Sequence, residues 1–222
     1  MTKLLTLALT ETTQTSYEVV AWNLDDKNYV LIPGLPYNAA LVDGKPVWDL
    51  FQVTEAEIKK TPNESRSNVF SVLNTLPPTP IGKVEGEDRL TWLHRLSLNK
   101  SVDSPLYTNN YVTLVEPEEI IDIIMTPKES CLDRKKPFYW ESRIEFVLNN
   151  TIWRPAASKI GVASKDLRWK TYWHEITANS PNFLVARDKW LKILNKNRTF
   201  FVIEYYNNHK NYVIAGVHSI SS

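Results

Sequence analysis

Apolar residues alternate with polar ones, or form short unbroken runs, along most of the chain, and they take up a helical spacing in only two places. Leu4–Thr10, Tyr17–Asn23 and Tyr29–Pro33 are short runs rich in β-branched and aromatic residues, and the polar link Leu24–Asn28 predicts a hairpin between the last two. Val47–Val53 and Val69–Leu73 read as further strands. They flank the polar loop Thr61–Ser67, and the proline-rich Leu76–Glu87 reads as a surface connection. Leu90, Leu93 and Leu96 repeat every three residues behind Glu87 and Asp88, which suit the positive end of a helix, so Asp88–Leu98 is expected to be helical.

Residues 99–110 mark the expected boundary between two halves. Beyond it Tyr111–Glu116 reads as a strand, and Ile120–Met125 is apolar enough to be buried on both faces. Trp140–Leu148 alternates strictly, Asn149 and Asn150 turn the chain into Ile152–Arg154, and Lys159–Ala163 is another short strand. Phe183–Leu194 has helical spacing, and Phe200–Tyr206 with Tyr212–Ile220 closes as a hairpin. About ten short strands and two helices, one near the end of each half, predict a mainly β protein with a few helices, a minor α+β element. The expected arrangement is two small OB-like barrels in tandem, residues 1–105 and residues 106–222.

Composition adds little until it is divided. The net charge is +1, yet residues 134–200 hold 14 Lys/Arg against 5 Asp/Glu, while the remainder holds 12 against 20. An acidic first half thus precedes a basic second half, and a clustered positive field attracts polyanions. Equally, the two halves neutralise one another across an interface. The single Cys131 rules out an internal disulfide and a multi-cysteine zinc site, and it fits a reducing, cytoplasmic setting. The opening MTKLLTLALTETTQ has one lysine and a short apolar run without a small-residue cleavage pattern, so it is read as a first strand rather than a signal peptide. No stretch is apolar enough for a membrane span, and no membrane partner is expected.

The second half runs VTLVEPEEI, ESRIEF, IGVASKDLRW, a helix, then RTFFVIEYYNNHKNYVIAGVHSI. This order resembles the dual OB-containing domain family of prokaryotes, most closely at Tyr212-Val213-Ile214-Ala215-Gly216-Val217; the first half agrees through YEVVAWN and the proline-rich segment before Glu87. The resemblance implies two OB-like barrels encoded among defence and mobile-element genes, such as CRISPR or transposon accessories, and it implies no catalytic residue. Where the family pattern has Thr-Asp, this chain has Ala163-Ser164, with Asp166 two places late, so the role of that acid is not carried over.

The chain lacks clustered glycines for a phosphate loop, an HExxH zinc motif and a Gly-x-Ser-x-Gly nucleophile turn, and no cofactor is expected. Glu116, Glu118, Glu119 and Asp122 form an acidic run that reads as a solvated strand end before it reads as a cation site. Arg89 and His94 stand in an R-x4-H spacing that resembles the motif of HEPN ribonucleases, and Arg168 and His174 in R-x5-H. In such enzymes arginine steadies the phosphate while histidine moves the proton, on a helical scaffold. The richest segment is residues 153–173, where Trp153, Trp169, Tyr172 and Trp173 interleave with basic residues. OB-type barrels bind single strands by stacking bases on exposed rings while lysine and arginine follow the phosphates. Arg154, Lys159, Lys165, Arg168, Trp169, Lys170 and Trp173 are therefore the expected nucleic-acid-binding residues, for a single strand or a guide RNA or DNA. The competing reading puts these rings in a core with the cations solvated, and makes the protein a scaffold for other subunits of a complex. A ribonuclease comes third.

Overall fold

The computed structural model describes residues 1–12, 15–37, 41–42, 45–62, 68–73, 75–98, 100, 111–127, 140–153, 161–179, 183–206 and 211–221. Arg154, Lys159, Cys131 and nearly all of the expected boundary segment 99–110 lie outside them. The first half contributes β1 (Thr2–Glu11), β2 (Ser16–Asn23), β3 (Asn28–Pro36), β4 (Leu41–Val42), β5 (Lys45–Pro46), β6 (Gln52–Ala56), β7 (Ile58–Lys60), β8 (Phe70–Val72), β9 (Thr79–Lys83) and α1 (Glu87–Ser97). The second contributes β10 (Val112–Val115), β11 (Glu119–Pro127), β12 (Trp140–Leu148), β13 (Thr151–Trp153), β14 (Val162–Ser164), α2 (Leu167–Asn179), α3 (Phe183–Lys196), β15 (Arg198–Tyr206) and β16 (Asn211–Ile220).

These strands form two main sheets, ordered β3-β2-β1-β6-β9 and β10-β15-β16-β14-β12-β11, with β13 paired to β12. The mainly β class with a few helices is as expected, but among the described residues both sheets are open rather than closed into the two expected OB-like barrels. Among the described residues α2 is a third helix where no element was expected. The segment expected as a surface connection contains β9, an edge strand, which is where Pro80 is tolerated because an edge residue need not donate to a neighbour. β11 is also an edge, and a bulge between Ile120 and Asp122 leaves Ile121 exposed, so this run is not buried on both faces. The segment Val47–Val53 turns before it pairs, and its strand starts only at Gln52.

Two hairpins follow the sequence closely. β2 and β3 pair antiparallel across Leu24–Lys27, and β15 pairs with β16 along Arg198–Tyr206. Asn149 and Asn150 hold φ of 53° and 57° between β12 and β13, the left-handed pair that a two-residue hairpin turn requires and that asparagine tolerates.

Because successive side chains on a strand point to opposite faces, the inner strands divide their apolar residues between layers. Leu5, Leu7, Val20 and Leu31 from the first sheet meet Leu114, Phe200, Val202 and Ala215 from the second in one core, closed at one end by Leu93 and Leu96 of α1. The reverse face of the first sheet buries Leu4, Val19, Ala21, Val30 and Ile32, packed against Ile58, Phe70 and Val72 of the β7–β8 hairpin. The reverse face of the second buries Phe201, Ile203, Ile214 and Ile144 beneath Trp169 and Trp173 of α2 and Leu194 of α3. The protein is thus a stack of two sheets, with helices on one outer side. At the seam between the sheets β16 passes close to β1: a Cβ on Gly216 would stand 2.8 Å from the Ala8 Cβ and 3.3 Å from the Leu7 carbonyl oxygen. Only glycine lets the two backbones approach so closely.

Candidate functional site

α2 is preceded by Asp166, a buried acid that pairs by a single bridge with Thr10 of β1. One carboxylate oxygen, Oδ1, accepts hydrogen bonds from the amides of Arg168 (2.9 Å) and Trp169 (3.1 Å), which caps the helix; the other, Oδ2, accepts from the Val217 amide of β16 (2.8 Å). Burial raises the Asp166 pKa above the ordinary carboxylate value, against the opposing pull of Arg168 and these three amides. Asp166 is therefore a structural clip between helix and sheet.

The clip sets the direction of every side chain on α2. Trp169 and Trp173 turn inward, are 5% and 1% exposed, and belong to the apolar cluster that also holds Ile203 and Ile214. They join Tyr172 and Trp190 in an edge-to-face cluster with ring centroids 5.1–5.5 Å apart. Rings this deeply buried offer a base no open face, so Trp169 and Trp173 do not form the expected exposed platform; Trp173 is a core residue, and Trp169 is a buried part of the cavity wall described below. Lys170 forms an ion pair with Glu11 of β1, both side chains largely buried, and so ties α2 to the first sheet instead of meeting a phosphate. Lys165 is half-buried, with its amide donating to the Ile214 carbonyl. Of the expected set that lies within the described residues, Arg168 alone is exposed.

Arg168 does border a site. A cavity of about 440 Å³ opens where α1, α2, α3 and β16 converge, with Arg89 and Arg168 on its rim, half-buried Tyr172 and Trp190 on its side, and Phe51 and His218 deeper in. A volume of this size suits one small-molecule unit. Arg89 donates through Nε to the Val84 carbonyl (2.9 Å), with its guanidinium carbon 5.3 Å from the Phe51 ring centre. Among the described residues neither guanidinium pairs with a carboxylate. Asp49 senses Arg168 only at a distance: desolvation works to raise its pKa, Lys83 and the Leu50 amide hold it below the ordinary value, and Arg168 adds to that lowering.

Two further features mark the cavity. Phe51 holds φ of 60°, a region that bulky residues rarely occupy, and its ring lies 5.1 Å from that of His218. His218 is buried and donates from Nε2 to the Leu7 carbonyl (2.7 Å), which leaves Nδ1 with a lone pair in the neutral ring. Burial first, and Arg168 second, push its pKa down to about 4 against the opposing Leu7 bond. The sign follows: the unfolded ring takes up a proton as pH falls through about 6.5 while the folded ring stays neutral to about 4, so stability is lost on acidification. Between pH 7 and pH 5 this histidine costs the fold about 2 kcal/mol. Asp166 acts in the opposite sense, so the contribution is isolated by comparing urea unfolding of the wild type and His218→Gln at both pH values. The variant is expected to lose about 2 kcal/mol less on acidification.

The remaining expectations resolve differently. Arg89 faces the cavity, whereas His94 on the same helix receives a hydrogen bond at Nδ1 from Arg198 (2.8 Å), itself bidentate to Glu116 at 2.7 Å to each oxygen. Arg89 and His94 therefore engage separate partners and form no phosphate–proton pair; the side chain of His174 lies outside the described residues. Glu116 is held by Arg198, Asp122 by Arg187 and Glu118 by the Asn150 amide, and among the described residues no cluster is placed to hold a metal ion. No helix among them is long and apolar enough to cross a membrane.

A further basic feature, outside residues 153–173, lies on α3. Lys189, Lys192 and Lys196 are all exposed, and at 100° per residue they fall within an arc of about 60°. The neighbouring face carries Trp190 and Ile193 into the cavity wall. Lys189 and Lys192 fall within the expected helix Phe183–Leu194 and Lys196 lies two places beyond it, a spacing of three and four that was a readable signal for a basic stripe. Arg89 and Phe51 carried no such signal, since only the packing of α1 and β16 brings them to the site. Comparison with protein-family models gives no match, and no curated protein matches the chain.

Proposed function

We propose that the chain is a non-enzymatic nucleic-acid-binding module that holds its ligand in the cavity below Arg89 and Arg168 and along the lysine face of α3. One observation carries this reading: two guanidiniums with no carboxylate partner among the described residues share a cavity with half-buried aromatic rings. Charge and flat apolar surface in one place suit a ligand that is itself both anionic and planar. The adjoining stripe of Lys189, Lys192 and Lys196 extends the positive surface beyond one ligand unit, which favours a polymer over a free nucleotide. On this reading the protein acts in the cytoplasm beside other protein subunits, as the dual OB-containing resemblance implies for prokaryotic defence or mobile-element systems.

The test is a salt titration of oligonucleotide binding. The double variant Arg89→Ala, Arg168→Ala is expected to weaken binding and to lower the slope of log affinity against log salt by about two. If the wild type shifts neither single-stranded nor double-stranded oligonucleotides at low salt, this reading fails and the scaffold reading replaces it.

A further inference from the structure

The cavity is closed on its inner side. Asp166, Trp169, Val217 and His218 line it and each is less than one-tenth exposed. A strand passing through needs two openings, and this space, about 440 Å³, accommodates one nucleotide. A second cavity shares Arg89, Ser219 and Ile220 with the first but adds Glu87, whose carboxylate repels a phosphate backbone on that side. The lysine face of α3 adjoins the wall that Trp190 and Ile193 of the same helix give the first cavity. The backbone of a bound strand thus has one electrostatically favourable exit.

The charges point the same way. A phosphodiester inside a strand carries one negative charge, whereas a terminal phosphate monoester, with a second pKa near 6, carries about −1.5 to −2 at neutral pH. Two guanidiniums on one cavity, neither in an ion pair with a carboxylate of a described residue, match the monoester. The buried Asp166 feels the charge of Arg168 but makes no ion pair with either guanidinium, its two oxygens accepting instead from backbone amides.

Resting on the nucleic-acid reading above, we infer that this cavity captures the phosphorylated end of a single strand, with the terminal phosphate between Arg89 and Arg168, the terminal base against Tyr172 and Trp190, and the following phosphates along Lys189, Lys192 and Lys196. No bond is made or broken. Either end, 5′ or 3′, offers the same phosphate chemistry, and the experiment separates them.

Fluorescence anisotropy would compare four forms of one single-stranded sequence: 5′-phosphorylated, 3′-phosphorylated, hydroxyl at both ends, and covalently circular. One phosphorylated end is expected to bind about tenfold more tightly than the hydroxyl-ended strand or the circle. Arg168→Gln is expected to shrink that preference to about twofold or less, while Lys192→Gln weakens all four forms alike. Arg168 is exposed, and an unchanged melting temperature verifies that its variant folds; Arg89→Gln repeats the measurement on the second guanidinium. A circle bound as tightly as both phosphorylated strands overturns the inference and leaves the nucleic-acid reading standing. Binding of none of the four overturns both.

Discussion

Trp173→Ala is expected to lower the unfolding free energy by about 4 kcal/mol, the range for truncating a large aromatic side chain in a packed core. The indole is 1% exposed and contacts Tyr172, Trp169 and Phe183, so its removal opens a void beneath α2 and strips the outer face of the second sheet. Trp173→Phe keeps a ring in the same place and is expected to cost only about 1–2 kcal/mol. Urea unfolding measures both. The decisive comparison is with oligonucleotide affinity measured per folded molecule, because Trp173 does not line the cavity. A stacking residue would lose affinity with little loss of stability; a core residue shows the reverse. Unchanged stability in Trp173→Ala would contradict the packing of α2 described above.

Asp166→Ala is expected to cost about 3 kcal/mol, from a lost helix cap and a buried Val217 amide left without an acceptor. Relief of the buried carboxylate offsets part of this, since burial raises its pKa. Asp166→Asn separates the two contributions. Its carbonyl oxygen can keep the Arg168 and Trp169 amides, but its NH2 group then faces the Val217 amide, donor against donor. The asparagine variant is therefore expected to retain the cap and lose the clip to β16, with a cost of about 2 kcal/mol. Equal costs for alanine and asparagine would mean that the Val217 bond dominates; no cost for asparagine would remove the clip from the account of the site.

Much of the sheet architecture could be read from the chain, because each inner strand must satisfy two apolar layers at once. Phe200 and Val202 face one core while Phe201 and Ile203 face the other, so β15 appears as an unbroken apolar run. Local turn chemistry at Asn149-Asn150 likewise needs nothing from the rest of the fold. Closure of the sheets was another matter, since it depends on which edges meet across long stretches of sequence. α2 was obscured for a different reason: its tryptophans, tyrosine and threonines are middling helix formers, and the interleaved cations suggested an exposed surface. The start signal was nonetheless present, an Asp166 that accepts from the next turn of amides. At the site, Arg168 and Arg89 were each legible as phosphate-binding candidates but their meeting was not, because the two are brought together only by packing between α1 and the second sheet.

The seam between β1 and β16 has a consequence for how the chain acquires its shape. The bond from His218 to Leu7 spans 211 positions, and the close passage of Gly216 over Ala8 spans nearly as many. Contacts so distant in sequence are slow to find one another. While synthesis proceeds, the greasy inner surface formed by Leu5, Leu7, Val20 and Leu31 has to wait for strands that emerge much later. Acquisition of the native state is thus exposed to chaperone capture and to clumping, and variants at Gly216 should betray themselves first as poor yield of soluble material rather than as weakened ligand capture.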